Sequence, residues 1–210
     1  MRAVQYARYG NPPDVAEVVD VDLGSLGDDE VLIDVEATPI RFTDLDLIHG
    51  HDAFRRPLPD TPGGVGVGRV FKTGTAVSIL KCGDRVYLPR VGTWQEQIKV
   101  RADGLILAPS DGDPIQLSLV NSNLTTAYVL LKDVLDLQPA EWVLQNAANS
   151  SCGHYIIELA KNWGFRTVNV VRRASLAADL VTLGADAVVV DGPSLADDVA
   201  AATGGAKLRL

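Results

Sequence analysis

The sequence predicts an α/β protein with two unlike halves, a compact β-barrel followed by a partial, doubly wound parallel sheet. Three observations predict it. Up to about Pro109 the chain carries short β-rich runs separated by Gly, Pro and Asp. From Asp113 onward the apolar residues repeat with a helical period instead. After that, strand-like and helix-like stretches alternate through three successive units, which favours a parallel sheet with right-handed crossovers. The expected domains are 1–112 and 113–210.

In the first half, residues 15–19, 31–35, 68–71, 85–88 and 96–100 read as strands. Residues 43–48 read as one short helix capped by Thr43, the only clear helix of this half. The glycine-rich run 62–68 reads as a flexible turn into a strand and not as a phosphate loop, because no helix follows it. In the second half Leu124, Ala127, Tyr128, Leu131, Val134 and Leu135 fall on one helical stripe. A strand over 142–145 and a helix come next, then a strand over 167–171. A helix over 174–183 ends at Gly184, a third strand covers 187–190, and a helix over 195–202 is stopped by Gly204 and Gly205. Residues 207–210 begin a fourth strand. A complete sheet of this kind has about six, so the sequence is expected to be part of a longer chain.

Composition narrows the function. A formal net charge of -8 argues against nucleic acid or an anionic membrane as partner, since phosphate binding needs a basic face. Two cysteines make no disulfide framework, and Met1-Arg2-Ala3-Val4-Gln5-Tyr6 enters a strand pattern without the apolar run of a signal peptide, so a cytoplasmic, reducing setting is expected. No apolar run approaches the ~20 residues needed to span a bilayer.

The most informative stretch is 142–173. A tight turn between a strand and the N-terminus of a helix points backbone N–H groups and partial positive charge at one spot, which suits a pyrophosphate and hence a dinucleotide. Of the glycines usual in such a turn only Gly153 remains; Ala148, Ser150 and Ser151 occupy neighbouring positions, and the pattern equally suits a plain strand–turn–helix capped by Ser150. An acidic residue about 20 residues further on usually takes the ribose 2′-OH. Arg172 and Arg173 stand there instead, and guanidinium groups favour a 2′-phosphate, so NADPH is expected over NADH.

Taken together, residues 38–45, 80–86, 92–94, 123–128 and 145–150, with Asn169-Val170-Val171-Arg172, resemble the medium-chain dehydrogenase/reductase superfamily, most closely its zinc-independent 2-enoyl thioester reductases and next its quinone oxidoreductases. The resemblance implies a GroES-like first domain and a Rossmann second domain, with substrate between barrel and sheet. It also implies Asn123 and Thr126 near the nicotinamide, where helix capping and a hydroxyl bonded to its own helix are the plainer alternatives. Ser150, Ser151, Cys152 and Gly153 would cradle the pyrophosphate. Full-length relatives commonly dimerise, so a homodimer is expected of a full-length form.

Two departures stand out. The thioester reductases carry a tyrosine donor in the loop after the short helix, but the matching loop here has none; Asp52 falls nearest that position, with His51 beside it as the candidate acid. Relatives usually have a glutamate where this chain has Val65. Zinc is not expected, because Cys82, Cys152, His49, His51 and His154 lie in different contexts and supply no ligand set, leaving His49 and His51 as solvated loop residues. Trp94 and Tyr128 read as core aromatics, Trp94 alternatively as the wall of an acyl pocket. Cys152 reads as a packed residue or as a thiol whose pKa the helix start lowers. The expected function is NADPH-dependent reduction of an enoyl thioester; a quinone reductase and an inactive fragment or nucleotide-binding scaffold are the alternatives.

Overall fold

The structure, a computed structural model, describes residues 1–51 and 55–209. The chain divides into two compact units, Met1–Asn121 and Ser122–Leu210.

In the first unit, β1 (Arg2–Tyr6) pairs antiparallel with β2 (Ala16–Asp20), and the turn between them contains α1 (Pro12–Val15), one helical turn set by consecutive prolines. The expected strand over 15–19 therefore starts one residue later, because Val15 ends that helix. The remaining strands, β3 (Glu30–Ala37), β4 (Val67–Thr73), β5 (Arg85–Tyr87), β6 (Gln97–Arg101) and β7 (Ile106–Leu107), form one antiparallel sheet in the order β6-β3-β4-β5-β7. Val31, Ile33, Val70, Val86 and Ile98 point inward from these strands and, with Leu88 just past β5, form its core. Isolated bridges from Ala3 to Gln95 and from Tyr6 to Asp60 tie the β1–β2 ribbon to the rest of the unit.

The run 62–68 is buried throughout and is not a flexible turn. A Cβ at Gly68 would stand 2.4 Å from the Asp34 carbonyl oxygen and one at Gly66 2.6 Å from that of Ala37, so glycine lets β4 close against β3. Helix α2 (Phe42–His49) follows β3 and is preceded by Arg41, not capped by Thr43. The Asp44 carboxylate accepts from the Arg41 backbone N–H at 3.0 Å and from its guanidinium at 2.7 and 3.1 Å, and it is buried. Glu36 on β3 joins Arg85 and Arg69, and both arginines also donate to carbonyls of residues 109–112. Helix α3 (Pro114–Leu119), capped by Asp113 and packed on β3 and β4, is a further helix of this unit.

The expected stripe from Leu124 to Leu135 belongs to a helical run in which α4 (Thr125–Val129) lies between π-helical turns over Val120–Leu124 and Leu130–Val134. It packs on α5 (Ser151–Trp163), with Ala127, Leu131, Val143, Ile156 and Phe165 as the shared core. The sheet of the second unit contains β8 (Trp142–Gln145), β9 (Arg166–Val171), β10 (Ala187–Val190) and β11 (Leu208–Arg209), all parallel, in the order β10-β9-β8-β11. Helices α6 (Ala177–Leu183) and α7 (Leu195–Thr203) complete it; the expected helix over 174–183 opens with a 3₁₀ turn at Ala174–Leu176. Numbered within this sheet, the order is 3-2-1-4. Strand order reverses beside β8, and in open α/β sheets ligands bind outside the carboxyl ends of the strands at that point.

Candidate dinucleotide site

The carboxyl end of β8 and the start of α5 meet over residues 146–150. Trp142 packs with Val168, Val170 and Val189, which anchors β8 in the sheet. The chain then turns sharply: Ser150 N–H donates to the Ala147 carbonyl at 2.9 Å, and Ala147 takes a left-handed φ of 47°. That conformation costs a non-glycine residue roughly 1–2 kcal/mol. The buried Ala148 N–H donates to the Val170 carbonyl at 3.3 Å, so the turn is stitched to the end of β9.

Ser150 caps α5, its Oγ accepting the Gly153 N–H at 3.1 Å. Gly153 lies directly under the turn, where a Cβ would meet the Ala148 carbonyl oxygen at 2.4 Å. The cradle is thus one that a side chain would fill. The N–H groups of Ser151 and Cys152, at the first two helical positions, have no intrahelical acceptor and carry the positive end of the helix dipole. Such an arrangement binds an anion through backbone donors.

Beside the turn is a pocket of about 470 Å³, walled by Leu130, Leu131, Val134, Val143 and Ile156 and rimmed by Gln145, Asn146, Ala147, Ser150, Cys152 and Gly153. The Cys152 thiol is pushed above its ordinary pKa by burial, and its side chain packs on the apolar core between α4 and α5. Burial disfavours the thiolate, so the side chain reads as a packed residue. Arg172 and Arg173 follow directly on β9, are exposed, and make no ion pair among the described residues. Thr126 donates its hydroxyl to the Ser122 carbonyl at 2.8 Å, and Asn123 is half-buried in the π-helical turn; neither lines the pocket. Tyr128 is 48 % exposed and meets Trp163 edge-on, so it is no core aromatic.

In the first unit His51 is exposed. Its ring stacks on His49 with centroids 5.3 Å apart, and its Nδ1 stands 3.8 Å from an Asp46 oxygen. His49 is oriented by a 2.8 Å contact between Nδ1 and the Leu45 carbonyl. Asp52 lies outside the described residues. Val65 is buried, and its carbonyl accepts from the hydroxyls of Thr38 and Thr93 at 2.8 and 3.1 Å. Trp94 packs beside Tyr6, Leu47 and Ile48, with its indole N–H donating to the Pro39 carbonyl. Among the described residues no three His, Cys, Asp or Glu side chains cluster so as to hold a metal, and no helix is long and apolar enough to cross a membrane.

Two features escape the sequence reading. Ala147 adopts a conformation that alanine does not announce. Gln145 and Asn169, opposite each other in register, are joined by a side-chain hydrogen bond at 2.7 Å. The available signal was a polar residue within each of two runs rich in apolar residues, Gln145 ending one and Asn169 interrupting the valines of the other.

Residues 27–110 match the alcohol dehydrogenase GroES-like domain family. Over 197 residues the chain is 34 % identical to the mitochondrial enoyl-[acyl-carrier-protein] reductase of Homo sapiens, covering 91 % of this chain and 53 % of the human protein. The quinone oxidoreductase of Escherichia coli, solved in complex with NADPH, superposes with a TM-score of 0.88 at 25 % identity, over 100 % of this chain and 64 % of that one. The complex of Etr1p with NADP and crotonyl-CoA gives a TM-score of 0.80 at 28 % identity, over 90 % and 60 %. The chain thus spans about half the length of the curated relatives it matches.

Proposed function

We propose that this chain belongs to the medium-chain dehydrogenase/reductase superfamily and serves an NADPH-dependent, zinc-independent oxidoreductase that saturates the C=C bond of a 2-enoyl thioester. The observation that carries the reading is the closed turn between β8 and α5 at the carboxyl edge of a parallel sheet, with Gly153 packed beneath it and the first helical N–H groups, which have no intrahelical acceptor, beside it. The human relative's name and the crotonyl-CoA carried by Etr1p support the substrate class.

When bound, NADPH supplies the hydride. The residues of this chain hold and orient it. The Ser151 and Cys152 N–H groups, with the Ser150 cap and the side-chain-free Gly153, receive the pyrophosphate. Arg172 and Arg173, with no carboxylate partner among the described residues, offer charge-assisted hydrogen bonds to the 2′-phosphate. Asn123 and Thr126 hold the nicotinamide end; the Thr126 hydroxyl spends its proton on Ser122 and keeps lone pairs for a carboxamide donor. His51, exposed and able to carry a proton at either nitrogen, delivers the proton that follows hydride addition. The free thiols of Cys82 and Cys152 fit a reducing compartment, which we take as the cytoplasm.

A quinone is the second reading. Residues 48–54 contain no tyrosine, and a quinone, whose oxygens are protonated by water on reduction, demands less of a side-chain acid. Titrating NADPH and NADH by nicotinamide fluorescence, then following NADPH oxidation with a crotonyl thioester and with a simple benzoquinone, tests both. Turnover of the thioester supports the first reading and turnover of the quinone alone the second. NADPH binding without turnover of either moves the assignment to a nucleotide-binding scaffold, and absence of NADPH binding rejects all three.

A further inference from the structure

The turn between β8 and α5 holds an alanine in a left-handed conformation and lacks the glycines that usually make such a turn free of strain. Backbone strain of this kind persists only where the surroundings over-determine it. Gln145 is the last residue of β8 before the turn, and its Nε2 donates to the carbonyl of Gly153, eight residues on in the first turn of α5, at 3.1 Å. The same nitrogen donates to Asn169 Oδ1 at 2.7 Å. One side chain therefore closes the whole turn and ties it to the neighbouring strand.

The direction of these bonds follows from the acceptors around them. Asn169 is fully buried, and its Nδ2 faces the Ala187 carbonyl at 3.0 Å and the Thr167 hydroxyl at 2.9 Å. A carbonyl can only accept, so the nitrogen of Asn169 must point at Ala187 and its oxygen at Gln145. Gln145 must then donate to Asn169, and it must also donate to Gly153, whose carbonyl is a second obligate acceptor. Both N–H bonds of Nε2 are used. The network runs from Gln145 on β8 to Asn169 on β9, which itself donates to the Thr167 hydroxyl and to the Ala187 carbonyl of β10, and no buried polar side-chain atom among the described residues lacks a partner.

We propose that Gln145 is a positioning residue for the dinucleotide turn: acting through the Gly153 carbonyl and anchored on Asn169, it fixes the first turn of α5 and thereby the N–H groups that face the pyrophosphate. The ligand half of this inference rests on the dinucleotide reading above; the positioning half does not.

Amide hydrogen exchange on the full 210-residue chain, without ligand, tests the positioning. In Gln145→Met, which keeps the bulk and loses the donor, the amides of Gly153 to Ile157 exchange at least tenfold faster, while those of Val168 and Val170 in β9 keep their rates. Gln145→Lys, with a donor on a chain of similar reach, restores protection. Unchanged rates in Gln145→Met, equal acceleration of β9, or no rescue by lysine overturns the proposal. NADPH titration of the same variants tests the consequence, with a dissociation constant at least fivefold weaker in Gln145→Met. An unchanged constant beside faster exchange overturns the link to binding. If the unaltered chain binds no NADPH, the dinucleotide reading fails and the exchange result alone decides the positioning.

Discussion

The α-carbon of Gly153 faces the carbonyl oxygen of Ala148 so closely that an added methyl group would stand 2.4 Å from it. Neither partner can yield cheaply. Ala148 is fully buried and bonded to Val170, and Gly153 is held by the Ser150 cap. Gly153→Ala therefore pushes the helix start away from the turn, at a cost in the range of about 1–3 kcal/mol for overpacking. Urea unfolding of the second unit should show that loss, and fluorescence titration should show NADPH affinity falling with it. Full retention of both would mean that the turn is looser than the packing implies.

Arg172 and Arg173 set the second expectation. One charge-assisted phosphate contact can supply the ~1.4 kcal/mol that separates a tenfold difference in affinity. NADPH should bind at least tenfold tighter than NADH, and replacing both arginines by alanine should bring the two affinities together by weakening NADPH alone. Equal affinities in the unaltered chain would remove the arginines from the site.

Much of this site was legible in the sequence because period and punctuation carry it. The stretch from Trp142 to Arg173 announces strand, turn, helix and strand, and Ser150 marks the start of the helix between them. What was not legible depends on contacts between distant residues. The run 62–68 looks like a loose turn because glycine is usually read as flexibility, yet Gly66 and Gly68 admit the carbonyls of Ala37 and Asp34. Likewise Arg41 precedes α2 where a hydroxyl at Thr43 looked sufficient, because the Asp44 carboxylate is buried against its guanidinium. The π-helical turns on either side of α4 leave no mark in the apolar stripe.

Glu36 and Arg85 predict a pH dependence. Burial alone would raise the Glu36 pKa, but hydrogen bonds and charge from Arg85 and Arg69 outweigh it and hold the carboxyl below the ordinary range. A carboxylate whose folded pKa is depressed contributes stability that is fully present above its unfolded pKa and is lost as pH falls through the folded one. Glu36→Gln leaves the nearly buried Arg85 guanidinium without its counter-charge, at a cost on the order of 3 kcal/mol near neutral pH. The difference between variant and unaltered chain should shrink as pH drops below the usual carboxylate range, about pH 4. A difference that stays constant down to the acid transition would show that the ion pair is not what Glu36 contributes.

Purified protein should carry no stoichiometric zinc, and chelators should leave any activity unchanged. Catalytic zinc needs three protein ligands and structural zinc four, and among the described residues no such set converges. Elemental analysis giving about one zinc per chain would overturn this.

The last expectation separates the two substrates through His51. Saturating a C=C bond places hydride on one carbon and requires a proton at the other, and a positioned acid accelerates such a step by about 10²–10⁴-fold. Reduction of a quinone ends on oxygens that water protonates readily, so the same acid matters less. His51 has the exposure for proton exchange and is oriented by its stack on His49 and its approach to Asp46. In His51→Phe, which keeps a ring for the stack and removes both nitrogens, the rate with a crotonyl thioester should fall at least tenfold further than the rate with benzoquinone, at saturating NADPH. Equal losses on both substrates would mean that His51 acts by shaping its loop. No loss on either would remove it as the proton donor and leave that proton to solvent.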